Sequence, residues 1–418
     1  MQAQVWSRCR NSPGSIQSEK FHPKMAQNSY IPFHVPSVGD EEVEAVEGVL
    51  RSGWLTTGPV ALAFETEFAR YVGCKHALAV NSGTAALQLA LDAIGLREGD
   101  EVLIPTYTFT ATGEVITYFG AKPVLCDSVS GGFNLDSEAA AGLITERTRA
   151  IIPVHVGGET CNMTALRDLA KRYNLKVLED AAHALPASWE GQRVGTISEL
   201  TAFSFYATKT ITTGEGGMLT TDDDSYAERA ATMRLHGIGK DAWKRYTRAG
   251  SWDYRVLHAG YKLNLPDVLA AIGRAQLTKC DRFWQERNAI AQFYLENLSQ
   301  IEELELPPTP VNVTQHSWHL FILRIRPELL QIGRDEFIEQ LKELGIGTSV
   351  HFIPLHRHPL YRERFGYSED GFPNAETSFQ RALSLPIYPG LMPDMQHRVV
   401  EAVTQIVHKN RKRNAVAV

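Results

Sequence analysis

TAFSFYATKTITTGEGGMLTT, residues 201–221, is the stretch on which the reading of the chain turns. Thr201 to Phe205 reads as a short β-strand, apolar and aromatic. Gly217 to Thr220 reads as another. Between them a single lysine, Lys209, sits in a turn rich in hydroxyls and glycine. A strand end that offers a lysine beside anion-binding groups suits an amine that must reach a phosphorylated aldehyde. The same residues also suit a surface lysine in a hairpin turn.

Upstream, Leu175 to Glu179 is a second apolar strand, and it ends in Asp180-Ala181-Ala182-His183. A carboxylate at the carboxyl end of a buried strand lies where open α/β sheets bind ligands. Pyridoxal phosphate is the common phosphorylated aldehyde held by a lysine imine, and an aspartate paired with its protonated ring nitrogen keeps the ring an electron sink. Asp180 could equally cap a following helix. Further upstream, Ala79-Val80-Asn81-Ser82-Gly83-Thr84-Ala85-Ala86-Leu87 reads as strand, small-residue turn and helix. Ser82 suits an N-cap. The backbone N–H groups of Gly83 and Thr84 suit a phosphate, with Ser204 as a further hydroxyl.

From about Glu41 to Thr221 the chain alternates helices with short apolar strands. The strand candidates are His76–Val80, Glu101–Ile104, Lys122–Cys126, Ala150–Val156, Lys176–Glu179, Thr201–Phe205 and Gly217–Thr220. Such alternation predicts a mostly parallel seven-stranded sheet with helices on both faces, an α/β fold. After Pro266 the pattern changes. A long helix over about Asp267 to Leu298 leads to the break Pro307-Pro308-Thr309-Pro310, then a strand His319–Ile325 and a helix Arg334–Leu344. The expected organisation is a large domain over 30–265, a smaller α+β domain over 266–418, and a disordered extension over 1–29.

Composition excludes several classes. Apolar content of 44% and charged content of 22% are ordinary globular values. A net charge of −6 argues against nucleic acid as the main partner. The five cysteines are scattered without metal-ligand spacing, so neither a disulfide framework nor a zinc site is expected and the natural home is a reducing cytoplasm. No apolar run spans a bilayer, so no membrane role is expected. The basic run His408–Arg413 reads as a solvated helix end and tail.

Ordered along the chain are Ser52-Gly53-Trp54-Leu55-Thr56-Thr57-Gly58-Pro59, Asn81-Ser82-Gly83-Thr84, Pro105-Thr106-Tyr107-Thr108-Phe109, Glu179-Asp180-Ala181-Ala182-His183, the Ser204–Lys209 block, Gly260-Tyr261-Lys262-Leu263-Asn264-Leu265 and His351-Phe352-Ile353-Pro354-Leu355-His356. Through these motifs, from about Tyr30 to Val407, the chain resembles the DegT-type sugar-nucleotide aminotransferases, which have the type I aspartate-aminotransferase fold. Within the family, Arg234-Leu235-His236-Gly237, His316-Ser317-Trp318-His319-Leu320 and Gly345-Ile346-Gly347-Thr348 are most similar to the branch that forms UDP-4-amino-4-deoxy-L-arabinose.

The resemblance implies pyridoxal phosphate as cofactor. Lys209 would hold its aldehyde and later move the proton, and Asp180 would pair with its ring nitrogen. Phe109 and Ala182 would pack on its two faces, and His183 would reach its ring hydroxyl. Gly83, Thr84 and Ser204 would bind its phosphate. Asn264 would reach the phosphate of a neighbouring subunit's cofactor, implying a homodimer with shared sites. Thr57, His351 and His356 would lie near the sugar nucleotide. No Cys or carboxylate completes a metal set around His351, His356 and His358. The chain departs from the family pattern at Asn264, where many relatives carry arginine, at Gly157, where tyrosine is common, and at Gly113-Glu114, which replaces a pair that usually contains asparagine.

The activity implied is transamination from glutamate to a nucleotide-linked keto sugar, 4-keto and UDP-linked. The amino sugar would serve surface polysaccharide, lipopolysaccharide or antibiotic biosynthesis. A sugar dehydratase of the same family would carry histidine in place of Lys209. A cofactor-binding regulator would need a helix-turn-helix domain, and the segment before the match is too short for one.

Overall fold

The computed structural model describes residues 30–238, 254–309 and 314–412. The expected disordered extension over 1–29 lies outside the described residues, as do Pro310 and Arg413. The strands, in chain order, are β1 (His76–Val80), β2 (Glu101–Pro105), β3 (Lys122–Cys126), β4 (Thr148–Ile151), β5 (Lys176–Asp180), β6 (Ser188–Trp189), β7 (Gln192–Arg193), β8 (Leu200–Ser204), β9 (Gly217–Thr221), β10 (Leu304–Glu305), β11 (Phe321–Ile325) and β12 (Ala382–Leu385).

Seven strands form one sheet in the order β1-β9-β8-β5-β4-β2-β3. Pairs β2–β3, β2–β4, β4–β5 and β5–β8 are parallel, while β9 runs antiparallel to both β8 and β1. Alternate residues of each strand feed two different cores. Val102 and Ile104 of β2 pack with Leu78, Val80, Leu178 and Leu219. Leu103 between them packs with Ala77, Ala79, Val177 and Met218. A period of two with both faces apolar is what a sheet covered by helices on both sides requires.

β10, β11 and β12 form a separate antiparallel sheet with its own core around Phe321, Leu323, Phe337 and Val403. The hairpin β6–β7 is a third, two-stranded piece.

Two sequence expectations need correction. β4 ends at Ile151 instead of reaching Val156. Pro153 supplies no N–H, and the chain leaves the ladder with one further bridge, Val154 to Asp180, before a tight turn over Val156–Gly158. The long helix over 267–298 is two helices, Asp267–Thr278 and Cys280–Leu298, separated at Lys279. Lys279 there pairs with Glu41 and Glu42, each at 2.9 Å. The first of the two helices packs on helices Asp40–Ser52 and Pro59–Val72. The buried Asp267 secures that packing by accepting from the N–H groups of Gly58, Val60 and Ala61 at 2.7, 3.1 and 2.9 Å. It thereby satisfies the open start of helix Pro59–Val72, which has no capping side chain of its own.

Candidate active site

The carboxyl ends of β1, β2, β4, β5 and β8 lie along one edge of the large sheet, joined there by the amino end of β9. A cavity of about 480 Å³ opens at this edge. Every connecting turn contributes to it: Ser82, Gly83 and Thr84 after β1, Thr108 and Phe109 after β2, Val154 after β4, Asp180, Ala182 and His183 after β5, Ser204 and Lys209 after β8, and Glu215 and Gly216 before β9. Open α/β sheets bind ligands at such an edge.

At one end is the start of helix Gly83–Ala93. Ser82 caps it, its Oγ accepting from Ala85 N at 3.0 Å. The N–H groups of Gly83 and Thr84 precede the first intrahelical donor and face the cavity end of the helix dipole. A Cβ at Gly83 would come within 2.9 Å of Ser204 Cβ, so glycine lets the two turns close on each other.

Asp180 forms the floor. It is 6% exposed, its Oδ2 accepts from the Thr112 hydroxyl at 2.8 Å and its Oδ1 from Ala182 N at 3.1 Å. A turn follows it, not a helix, so the capping alternative falls. Burial pushes its carboxyl above the usual aspartate range, while Thr112, the Ala182 N–H, Lys209 and His155 pull the other way. Behind it lies a fully buried pair, His155 Nε2 to Glu179 Oε2 at 2.9 Å. The Cys161 N–H donates to His155 Nδ1 at 3.1 Å, so the ring carries its proton on Nε2, facing Glu179. Burial lowers the pKa of His155, and its contacts with Cys161 and Glu179 raise it.

Lys209 shares the cavity with Asp180, so it is no free surface lysine in a hairpin. Burial lowers its ammonium to about 8, only partly offset by Asp180. That leaves a useful fraction of neutral amine near neutral pH.

Gly157 donates its N–H to His183 Nδ1 at 3.2 Å. The ring is held neutral, its pKa well below the usual value through burial and then the charges of Lys209 and His351. A neutral ring that accepts at Nδ1 carries its proton on Nε2. Gly157 has φ +67°, and a Cβ there would meet Ile322 Cδ1 at 3.2 Å. Glycine therefore suits both the turn and the bond to His183.

Phe109 lines the cavity while 58% exposed, its ring 5.9 Å from that of Phe352. His351 also lines it, with Nδ1 3.0 Å from Ser384 Oγ. His356 does not. It is fully buried, with Nδ1 2.6 Å from Thr106 Oγ1 and Nε2 2.6 Å from Glu376 Oε1, and it stacks on Phe372. With both nitrogens spent on the fold, its expected place beside substrate is withdrawn.

Thr57 and Asn264 meet each other away from the cavity lining. Asn264 Nδ2 donates to Thr57 Oγ1 at 2.5 Å, and Thr57 Oγ1 donates to Leu265 O at 2.6 Å. Glu114, near the Phe109 segment, accepts from Thr110 and is not part of the lining. Arg234 is tied to Glu65 and to the Ala79 carbonyl, a structural role.

Thr112, Glu215, His319 and Phe352 are lining residues that the sequence did not single out. Thr112 carried a faint signal, four residues after Thr108 with the two hydroxyls 2.9 Å apart. His319 is brought in by the segment His316–Leu320. There Ser317 N donates to Gly158 O at 3.1 Å and Leu320 N to Gly157 O at 3.0 Å.

The model of the DegT/DnrJ/EryC1/StrS aminotransferase family matches residues 36–404. This chain belongs to that family. It is 48% identical over 387 residues to an uncharacterized protein of Methanocaldococcus jannaschii, covering 93% of this chain and all of that one. It is 46% identical over 382 residues to the spore coat polysaccharide biosynthesis protein SpsC of Bacillus subtilis, covering 91% of this chain and 98% of SpsC. Among solved structures it is similar to Spr1654 of Streptococcus pneumoniae, described as a sugar aminotransferase. In the PMP form the TM-score is 0.84 at 30% identity, covering 91% of this chain and 98% of the other. The PLP form gives the same TM-score.

The chain is thus a pyridoxal-phosphate-dependent aminotransferase of the sugar aminotransferase family, with the corresponding α/β fold. Its residues fit that cofactor. Asp180 is a buried carboxylate with no cation in hydrogen-bond contact among the described residues, and a protonated ring nitrogen would supply one. The helix start at Gly83 and Thr84 would take the phosphate, with Ser204 beside it. Among the described residues no helix is long and apolar enough to cross a membrane.

Proposed function

We propose that this aminotransferase moves the amino group of glutamate onto the keto carbon of a nucleotide-linked sugar, UDP-linked and ketonic at C4. The single observation that carries the reading is the convergence of Lys209, Asp180 and the helix start at Gly83–Thr84 on one cavity. Pyridoxal phosphate, when bound, supplies an aldehyde that takes up and hands on the amino group and a ring that draws electrons from the reacting carbon.

The protein's part is orientation and proton management. The N–H groups of Gly83 and Thr84 and the Ser204 hydroxyl hold the phosphate end. Asp180, fixed by Thr112 and the Ala182 N–H, holds a proton on the ring nitrogen. His183 Nε2–H donates to the ring hydroxyl. Phe109 and Ala182 confine the ring between them. Lys209 Nζ, with its pKa near 8, would take the proton from the donor's α-carbon and deliver it to the carbon on the far side of the transferred nitrogen. It runs the same transfer in reverse on the sugar. His351 lines the mouth as a substrate contact. Glutamate leaves as 2-oxoglutarate.

The likeness to SpsC supports a product destined for a surface polysaccharide. Purified protein mixed with glutamate and a panel of UDP-, dTDP- and GDP-linked 4-keto and 3-keto sugars, read by mass, tests the substrate. The expected product is a 4-amino sugar on UDP. Turnover confined to 3-keto sugars, or to dTDP or GDP carriers, would overturn that choice.

We further propose a cytoplasmic homodimer in which Asn264 completes the partner's site, with Thr57 beside it near the sugar nucleotide, and a large and a small domain, helix Asp267–Thr278 belonging with the large one. Asn264 is 2.5 Å from Thr57 yet outside its own cavity lining, which suits service to another copy. Lys209→Ala and Asn264→Asp proteins are each poorly active; mixed and allowed to exchange, they should regain activity in roughly a quarter of all sites. If Asn264 serves its own chain, no hybrid contains an intact site and mixing restores nothing.

A further inference from the structure

Arg287 is a buried charge with no carboxylate against it among the described residues. It is 1% exposed on helix Cys280–Leu298. Its Nη1 donates to the carbonyls of Trp318, His319 and Ile387 at 3.4, 3.2 and 2.7 Å. No carboxylate pairs with it among the described residues, and its Nε and Nη2 have no hydrogen-bond partner. Two imidazoles share that lack: Nδ1 of His319 and Nε2 of His34. His319 is 5% exposed and lines the cavity, its ring 4.3 Å from that of His183.

A buried guanidinium normally has a carboxylate against it, because an uncompensated buried charge costs several kcal/mol. An arginine held only by carbonyl dipoles, with spare donors and unpartnered imidazole nitrogens around it, has the make-up of an anion corner that a ligand completes. Burial, together with Arg287 and Lys209, keeps both His34 and His319 neutral. A neutral imidazole still donates one N–H to an anion.

We propose that His319, with the Arg287 charge behind it, receives a carboxylate of the amino donor. This rests on the reading of the site as a glutamate-using aminotransferase. The sugar nucleotide also brings an anion, its diphosphate. His319 and Lys209 line the same cavity. A donor carboxylate sits one bond from the carbon that Lys209 deprotonates, whereas the diphosphate sits a sugar ring away from its keto carbon. The first source therefore fits the depth of the corner and the second does not. With a sugar that carries no carboxylate, the corner acts in one half of the reaction and is idle in the other.

The test compares wild-type, His319→Gln and Arg287→Lys proteins loaded with cofactor. Arg287→Lys keeps a charge while losing the Nη1 that reaches three carbonyls, and His319→Gln leaves those backbone bonds in place. Three readouts separate the possibilities: the visible spectral change on adding glutamate, the rate of reaction with hydroxylamine, and UDP binding by calorimetry. Hydroxylamine reports access to the cofactor without needing a carboxylate. The expected result is an apparent glutamate affinity weakened about 10- to 100-fold in His319→Gln and nearly kept in the charge-preserving Arg287→Lys, with hydroxylamine and UDP unchanged in both. Equal losses with glutamate and hydroxylamine would mean a structural role and overturn the proposal, as would weakened UDP binding with glutamate intact. A His319→Gln protein that reacts with glutamate as the wild type does overturns it alone. A wild type inert to glutamate removes the aminotransferase reading beneath it as well.

Discussion

Lys209→Ala abolishes transamination while the protein stays folded. Its side chain projects into the cavity at the end of β8, and the segment is held by backbone bonds that alanine keeps: Lys209 N to Tyr206 O at 2.9 Å, Phe205 N to Gly216 O at 2.8 Å and Thr213 N to Phe205 O at 3.0 Å. One amine is asked to do two jobs, covalent attachment and proton transfer, so its removal costs about 10⁵-fold or more in kcat. The measurement is single-turnover conversion with glutamate, together with the visible band of lysine-held cofactor, which disappears. Circular dichroism and thermal unfolding close to the parent's separate this from misfolding. Activity within tenfold of the parent would show that the chemistry lies elsewhere. The pKa of Lys209 near 8 adds a signed companion to this result. Below that value the ammonium dominates, and cofactor loading by the free protein should slow about tenfold per pH unit as pH falls. Above it the rate should level off.

The sequence disclosed this site unevenly, and the reason is physical. Residues that follow a strand inherit their position from it. Gly83, Asp180, Ser204 and Lys209 each trail an apolar run that both cores bury, so their convergence on one sheet edge was legible. The apolar runs also marked all seven sheet strands, most of them to within a residue, with the largest miss at β4, which runs Thr148–Ile151 where Ala150–Val156 was expected. What remained hidden depends on contacts between distant segments. Thr112 acquires meaning only when its helix delivers the hydroxyl to Asp180, 68 positions away. His319 reaches the cavity because its segment is bonded to Gly157 and Gly158. His356 shows the reverse error. Within its motif it looked like a ligand contact, but Thr106 and Glu376 claim its two nitrogens from segments 250 and 20 residues away. A histidine's role is fixed by what meets its nitrogens, and the local sequence does not carry that.

Asp180→Asn should keep the cofactor and lose most of the rate. The carboxylate's two present partners, the Thr112 hydroxyl and the Ala182 N–H, are both donors. An amide can still accept through its one carbonyl oxygen, so the local fold survives and the phosphate end at Gly83 and Thr84 is untouched. What an amide cannot do is carry charge. Burial presses Asp180 toward its neutral form, while Thr112, the Ala182 N–H, Lys209 and His155 favour the ionised one. With a protonated ring nitrogen opposite, the pair becomes mutually stabilising. Without the carboxylate the nitrogen loses its proton and the ring draws electrons less strongly from the reacting carbon. Removing one partner of a buried charge pair costs about 3–5 kcal/mol, which corresponds to roughly 10²- to 10³-fold or more in rate. Cofactor content measured after denaturation should match the parent's, while the rate of α-proton loss from deuterated glutamate should fall by the stated factor. An Asp180→Asn protein that exchanges that proton at the parental rate would remove Asp180 from the chemistry and leave it a role in the turn alone.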